Sequence, residues 1–246
     1  REAVMHLDGP LLIVAGAGSG KTKVLTSRIA HIIKKNKAFP NQILAVTFTN
    51  KAAKEMQLRV SKLLRKDATG LPWLGTFHSI SAKLLRKHAD AVGLKSNFSI
   101  IDQDDQVRLI KNICKAENVD IKKISPKFIL AIIDKWKNKG FYPQDVILKR
   151  KDPLEKNFLS IYKIYQEKLV NLNSADFSDL ILHTLKIFEK YTDIAELYSK
   201  KFKYILVDEY QDTNFIQSEW LRHLSGHNKN ICCVGDDDQS IYSWRG

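Results

Sequence analysis

Residues 11–22 constrain the fold of this 246-residue chain more than any other segment. They read LLIVAGAGSGKT, which is a short apolar run, a glycine-rich turn and the start of a stretch with apolar residues at helical spacing. The apolar run suits a buried parallel strand. Strand, glycine-rich loop and a helix opening with Lys-Thr form the context of a P-loop. The sequence therefore predicts an α/β fold with a parallel sheet that binds a nucleotide.

Each residue type in this loop has a chemical reason. The three glycines permit positive φ, which turns backbone N–H groups toward phosphate oxygens. Lys21 can reach the β and γ phosphates, and the hydroxyl of Thr22 can ligate Mg²⁺. The strict pattern has glycine at the position of Ala15, where a methyl is tolerated if the residue stays in the β region. The predicted nucleotide-binding residues are Ala15, Gly16, Ala17, Gly18, Ser19, Gly20, Lys21, Thr22 and Lys23.

A second apolar run, at residues 204–207, leads into two carboxylates. Asp208 emerges at the C-terminal end of the run, where α/β sheets place their ligands. We expect Asp208 to hold Mg²⁺ with Thr22, and Glu209 to orient and deprotonate the attacking water. A solvated acidic turn is the alternative. The three carboxylates at 236–238 are predicted to be a polar loop, because consecutive carboxylates do not easily converge on one ion. A position of Asp236 near the water shell of the magnesium is the alternative.

The last thirteen residues, 234–246, place an amide ahead of two aromatics and a cation. Gln239 can hydrogen-bond a phosphate oxygen without adding charge. Tyr242 and Trp244, spaced by two on an extended segment, point the same way and can stack on successive unpaired bases, with Arg245 beside them. Packing in a core or lid is the alternative. With the P-loop, the pattern indicates an ATP-driven motor on a nucleic acid.

Six segments, in the same order, resemble the motifs of superfamily 1 DNA helicases of the UvrD/Rep/PcrA type. They are AGAGSGKT (15–22), TFTNKAAKEM (47–56), GTFHS (75–79), ADFSDL (175–180), VDEYQDTN (207–214) and VGDDDQSIYSWRG (234–246). The resemblance spans essentially the whole chain. It implies a RecA-like P-loop NTPase domain with a mostly helical inserted subdomain. It also implies ATP and Mg²⁺ as cofactors, and 3′–5′ DNA helicase activity in repair or replication.

The resemblance also implies residue roles. Lys21, Glu209 and Gln239 would be catalytic, with Gln239 sensing the γ-phosphate. The partners would be single-stranded DNA and duplex junctions. The residues expected to contact DNA are Thr47, Phe48, Thr49, Asn50, Thr76, Phe77, His78, Tyr242, Trp244 and Arg245.

Three departures from the family pattern affect these expectations. The family has a glutamine upstream of the first residues of this chain, where it reads the adenine. Lys23 stands where an arginine is usual, and an ammonium cannot stack or fork as a guanidinium does. The family's second RecA-like domain, which supplies arginines to the γ-phosphate, is absent. We therefore expect a part of a longer enzyme, with weak nucleotide affinity and little activity alone.

Composition agrees with this interpretation without leading to it. The net charge of +13 suits a polyanion, although solvated lysines would give the same value. No apolar run approaches the ~20 residues of a membrane span. The three cysteines lack metal spacing and are predicted to be reduced core thiols of a cytoplasmic protein.

Apolar periodicity predicts the organisation of the chain. Strands are expected at 11–15, 43–48, 72–76, 204–208 and 231–235, and helices at 104–117, 127–139, 154–170 and 177–190. The predicted domains are 1–89 and 201–246, which form the RecA-like part, and 90–200, the helical insertion. Lysines of the insertion form either a DNA-facing surface or an ordinary solvated face. They are Lys111, Lys115, Lys122, Lys123, Lys127, Lys135, Lys137 and Lys139.

Two other function classes remain open. One is a P-loop ATPase that acts on protein or on DNA ends without translocation along a strand. The other is a module that only binds single-stranded DNA. The sequence gives neither the oligomeric state nor the pathway.

Overall fold

The computed structural model describes residues 2–16, 18–65, 70–148 and 153–236, in two compact units. One unit contains the chain up to Ile80 and from Phe188 onward, and the other is Ser81–Ile187. The domain limits predicted at residues 90 and 201 stay a prediction.

The elements follow one another in the order expected for an α/β chain with an insertion. The strands are β1 (Leu11–Val14), β2 (Ile43–Thr47), β3 (Leu74–Thr76), β4 (Ser99–Ile100), β5 (Ser174–Ala175), β6 (Tyr204–Val207) and β7 (Ile231–Gly235). The helices are α1 (Glu2–Met5), α2 (Lys21–Lys34), α3 (Asn50–Leu64), α4 (Phe77–Lys87), α5 (Gln103–Ala116), α6 (Pro126–Asn138), α7 (Pro153–Asn171), α8 (Phe177–Lys190), α9 (Thr192–Lys201) and α10 (Phe215–Ser225). None of these helices is long and apolar enough to cross a membrane.

The first unit is built on a five-stranded sheet in the order β1-β7-β6-β2-β3, and every pair in it is parallel. All five predicted strands are present, so the predicted fold class is confirmed. Residues of α2 and α3 bury one face of this sheet, and Leu25, Ile29 and Met56 are fully enclosed there with Ile43. Burial of such side chains is the main stabilisation of the unit.

The expectation that the apolar run at the start of residues 11–15 forms a buried strand is wrong about its burial. Strand β1 lies at an edge of the described sheet, and its residues alternate between partly buried and exposed. Leu12 and Val14 are 62% and 57% exposed, whereas Leu11 and Ile13 pack against the core. The apolar run gave the strand, but which faces are covered depends on its neighbours.

The second unit is mainly helical. Helices α5, α6 and α7 share a core that includes Ile110, Ile133 and Tyr162, and the short strands β4 and β5 pair in parallel. The four helices predicted for this region are confirmed, each within one residue at either end. Helix α6 is bounded by local chemistry, since the hydroxyl of Ser125 accepts a hydrogen bond from the N–H of Phe128 and Gly140 follows with φ of 79°.

A buried ion cluster holds this unit together, and it corrects the interpretation of one lysine. Lys137 is fully buried instead of lying on a solvated or DNA-facing surface. Its ammonium lies 2.6 Å from a carboxylate oxygen of Asp176 and 2.7 Å from one of Asp179. The hydroxyl of Tyr165 also donates to Asp176, at 2.9 Å. The cluster therefore connects α6 and α7 to the start of α8.

Replacing Lys137 by methionine should destabilise the protein strongly. The change leaves two buried carboxylates without their cation, and breaking a buried pair in this way costs ~3–5 kcal/mol. Urea unfolding would measure the loss. Lys135→Met, at an exposed position of the same helix, should change the free energy of unfolding by less than ~0.5 kcal/mol. Equal effects of the two changes would contradict a structural role for the cluster.

Candidate functional site

The parallel register brings the predicted site residues to one edge of the sheet. Val14 pairs with Gly235, Val207 with Cys233, Val46 with Val207, and Thr47 with Thr76. The loops that leave these strands therefore lie side by side, although they are far apart in the sequence. Ligands of α/β sheets bind at this carboxyl edge.

The loop between β1 and α2 has the backbone of an anion-binding turn. Gly18 and Gly20 have φ of 73° and 88°, which confirms their predicted conformation, whereas Gly16 does not have a positive φ. A Cβ atom at Gly16 or Gly18 would meet nothing within 4 Å, so open space lies against the loop. Gly20 precedes α2 and offers no side-chain cap, which leaves the positive end of the helix to face that space.

Lys21 is already engaged inside the site. Its ammonium donates to the backbone oxygen of Ala15 at 2.7 Å and to the carboxylate of Asp236 at 3.1 Å. Both charged side chains are nearly buried, at 8% and 3% exposed. The sequence analysis missed this pair because it placed Asp236 in a polar loop or near the magnesium water shell and not against Lys21. The available signal was the position of Asp236 at the end of the strand next to β1.

Asp208 is suited to a cation. One carboxylate oxygen accepts from the hydroxyl of Thr22 at 3.4 Å, and the other is sealed from solvent without a hydrogen-bond partner among the described residues. Burial, followed by the charge of Glu209, raises the pKa of Asp208 to about 6. In the described part of the chain, no three His, Cys, Asp or Glu residues converge as a metal cage. A cation here would take Thr22 and Asp208 as its protein ligands.

Glu209 is held by a strained backbone and a single amide. Its φ of 50° lies in the left-handed region, which costs of order 1–3 kcal/mol for a non-glycine residue. The side-chain N–H of Gln211 donates to its carboxylate at 2.8 Å. The other end of the same amide accepts from the backbone N–H of Asp236 at 3.0 Å. Gln211 was not among the predicted site residues.

The loops after β2 and β3 form the second half of the edge. Thr49 and Asn50 are exposed, and Phe48 is partly exposed. The hydroxyl of Thr49 accepts from the N–H of Ala52 at 3.1 Å and so caps the N-terminus of α3. The side chain of Thr47 is buried and donates to the backbone oxygen of Thr49 at 3.1 Å.

Phe77 lies in the core and not on the surface. It is 1% exposed and packs edge-on against Phe48 and Trp220, with ring centroids 5.7 and 5.8 Å apart. Thr76 is also buried, and His78 is partly exposed. The two adjacent loops thus present Phe48, Thr49, Asn50 and His78 while Phe77 supports Phe48 from below.

Five of the predicted site residues lie outside the described residues. They are Ala17, Gln239, Tyr242, Trp244 and Arg245.

Comparisons with a family model and with individual proteins point to the same family. The model of the UvrD/REP helicase N-terminal domain matches residues 1–246. A probable DNA helicase II homolog of Rickettsia conorii is 51% identical over 249 residues, which cover 100% of this chain and 38% of that protein. The ATP-dependent DNA helicase PcrA of Staphylococcus epidermidis is 46% identical over 245 residues, or 100% of this chain and 34% of that protein. The chain thus spans little more than a third of the length of these relatives.

The pair between Lys21 and Asp236 should compete with bound anions. Asp236→Asn removes the carboxylate that neutralises Lys21, so pyrophosphate without added metal should bind severalfold more tightly than to the unaltered protein. Titration calorimetry would measure the change, and Asp90→Asn at an exposed position is the control. Unchanged or weaker pyrophosphate binding by Asp236→Asn would show that the pair does not limit access to the lysine.

Proposed function

The chain belongs to the family of UvrD/REP helicase N-terminal domains, and from this premise we propose that it binds ATP and single-stranded DNA as the motor domain of an ATP-dependent 3′–5′ DNA helicase. The observation that carries the proposal is the shared carboxyl edge of one sheet. The loops of β1, β6 and β7 gather an anion-binding turn, a lysine and carboxylates there, while the adjacent β2 and β3 present an aromatic and polar surface.

In this proposal the first half of the edge binds Mg·ATP. The N–H groups after Gly16 and the ammonium of Lys21 hold the phosphates, which requires Lys21 to exchange Asp236 for a phosphate oxygen. Thr22 and Asp208 hold Mg²⁺, which would neutralise phosphate charge. The buried oxygen of Asp208, which has no hydrogen-bond partner in the described part of the chain, and the raised pKa of this carboxyl support the assignment, because a cation would stabilise the charged form.

Glu209 then acts on the attacking water as general base, and Gln239 contacts the γ-phosphate. Glu209 is partly exposed at the mouth of the site and is not paired with a cation among the described residues, so it can accept a proton. Lys23 is exposed and offers little to an adenine. We therefore expect weak nucleotide binding with little preference for the base.

Two substitutions separate binding from chemistry. Lys21→Ala should abolish binding of a non-hydrolysable ATP analogue with Mg²⁺, because it removes the cation that holds the phosphates. Glu209→Gln keeps the shape and should leave that binding unchanged within about twofold while hydrolysis in the full-length enzyme is lost. Titration calorimetry and a phosphate-release assay are the measurements. Analogue binding that survives Lys21→Ala would refute the nucleotide site.

The second half of the edge contacts single-stranded DNA. Phe48 offers a partly exposed ring, held from below by Phe77, and the exposed Thr49 and Asn50 can donate to backbone phosphates. Tyr242, Trp244 and Arg245 would add base stacking and a cation from the segment that follows β7. Such contacts carry little sequence preference, since every base has a stacking face.

Trp244→Ala should weaken the binding of a single-stranded oligonucleotide about 5- to 150-fold, because stacking is worth ~1–3 kcal/mol per base. Trp244→Phe preserves a stacking face and should retain most of the affinity. Fluorescence anisotropy at several salt concentrations would measure both, and affinity should fall as salt rises. Equal affinities of the alanine variant and the unaltered protein would place the DNA elsewhere.

The complete enzyme would require more than these residues. Directional movement needs two rigid bodies that close on ATP and reopen after hydrolysis, and one RecA-like body is present in this chain. An arginine finger is typically worth ~10³–10⁵ in rate, and we assign no residue of this chain to that role. We therefore propose that a second RecA-like domain completes the motor and that residues 1–246 alone do not unwind duplexes. We propose that the enzyme acts in repair or replication. A cytoplasmic location agrees with the three cysteines, which are buried thiols that form no disulfide.

A further inference from the structure

Gln211 lies in the turn after β6, and its amide connects two separate parts of the site. Its N–H group donates to the carboxylate of Glu209 at 2.8 Å, and its oxygen accepts from the backbone N–H of Asp236 at 3.0 Å. The first contact fixes the rotation of a carboxylate, and the second is to the main chain at the end of β7. A neutral amide can do both at once, because it has a donor and an acceptor on one rigid plane.

Gly235 provides the space that this amide occupies. A Cβ atom added at Gly235 would lie 2.9 Å from the side-chain oxygen of Gln211 and 3.4 Å from its backbone nitrogen. The first distance is shorter than a normal contact, so any larger residue would push the amide away from Asp236. The absence of a side chain at 235 and the position of the amide therefore depend on each other.

We propose that Gln211 is a positioning residue that fixes the carboxylate of the water-activating Glu209 against the main chain at Asp236. This inference rests on the proposed function and deepens it. Through these two hydrogen bonds, the orientation of the Glu209 carboxylate depends on the position of the main chain at Asp236.

The backbone conformation of Glu209 does not by itself fix the orientation of its carboxylate. The left-handed backbone sets where its side chain begins, but the carboxylate still rotates about its own bonds. The side-chain N–H of Gln211 donates a hydrogen bond to that carboxylate and restricts this rotation. Misplacement of a reacting group by about 1 Å can cost 10²-fold in rate. Removal of the amide should therefore affect the chemical step more than nucleotide binding.

The test uses the full-length enzyme and two changes that disrupt these hydrogen bonds differently. Gln211→Met keeps the length of the side chain and removes both hydrogen bonds. Gly235→Ala leaves Gln211 intact and displaces its amide. Single-turnover hydrolysis with saturating single-stranded DNA should fall roughly 10- to 100-fold in both variants, while the affinities for an ATP analogue and for DNA stay within about twofold. Gln103→Met, at an exposed position, should behave as the unaltered enzyme.

A double-mutant cycle tests whether the two changes act through the same hydrogen bonds. If Gly235→Ala acts through Gln211, it should add little to the defect of Gln211→Met. Hydrolysis and DNA stimulation that remain unaltered in both single variants would overturn the proposal. So would a parallel loss of nucleotide affinity or of the thermal midpoint, because that indicates a purely structural role. Absence of DNA-stimulated hydrolysis in the unaltered enzyme, by contrast, would refute the proposed function itself.

Discussion

The parallel pairing of five strands is the constraint on which the site depends. Parallel strands cannot be joined by tight turns, so each crossover carries a helix or, between β3 and β6, the whole second unit. All five carboxyl ends are thereby placed on the same edge. Residues as distant in the sequence as Lys21 and Asp236 come within 3.1 Å for this reason. Without that register the individual motifs would be separate polar loops.

Electrostatics explain why the site is stable before any ligand binds. A buried lysine and a buried carboxylate would each be costly alone, and the contact between Lys21 and Asp236 lets each offset the other. One oxygen of Asp208 has no such partner among the residues that the structure describes, and burial raises the pKa of this carboxyl. The site is therefore neutralised at the lysine and left short of a cation at the carboxylate. That asymmetry is the arrangement expected where an anion and a cation arrive together.

Much of the fold was predictable because it follows from local patterns. Short apolar runs ending in polar residues gave all five strands, and apolar spacing gave the helices of the insertion. Burial was less predictable, since it depends on which elements become neighbours. Lys137 has the same local sequence character as Lys135, yet only tertiary packing places it against Asp176 and Asp179. Exposure of β1 escaped prediction for the same reason.

In the candidate site, too, the features that follow from local sequence were predictable and those that depend on tertiary packing were not. Residues that belong to a recognisable motif, such as Lys21 and Asp208, lie at the carboxyl edge of the sheet, as their position after predicted strands indicates. The contacts that tune them do not follow from spacing. Gln211 sits two residues from Glu209 in a segment with several polar side chains, and only the close approach of β7 selects its amide. Phe77 shows the opposite case, because the resemblance predicts a DNA contact for an aromatic ring that packs in the core.

The order of the strands also determines which loops lie beside Glu209 at the carboxyl edge of the sheet. Strand β6, which is followed directly by Asp208 and Glu209, lies between β7 and β2. Adjacent strands are about 4.8 Å apart, so Glu209 is one strand from the segment after β7 and one strand from Phe48. Residues on either neighbouring loop therefore lie next to the turn that carries Glu209. A single side chain such as Gln211 spans the interval.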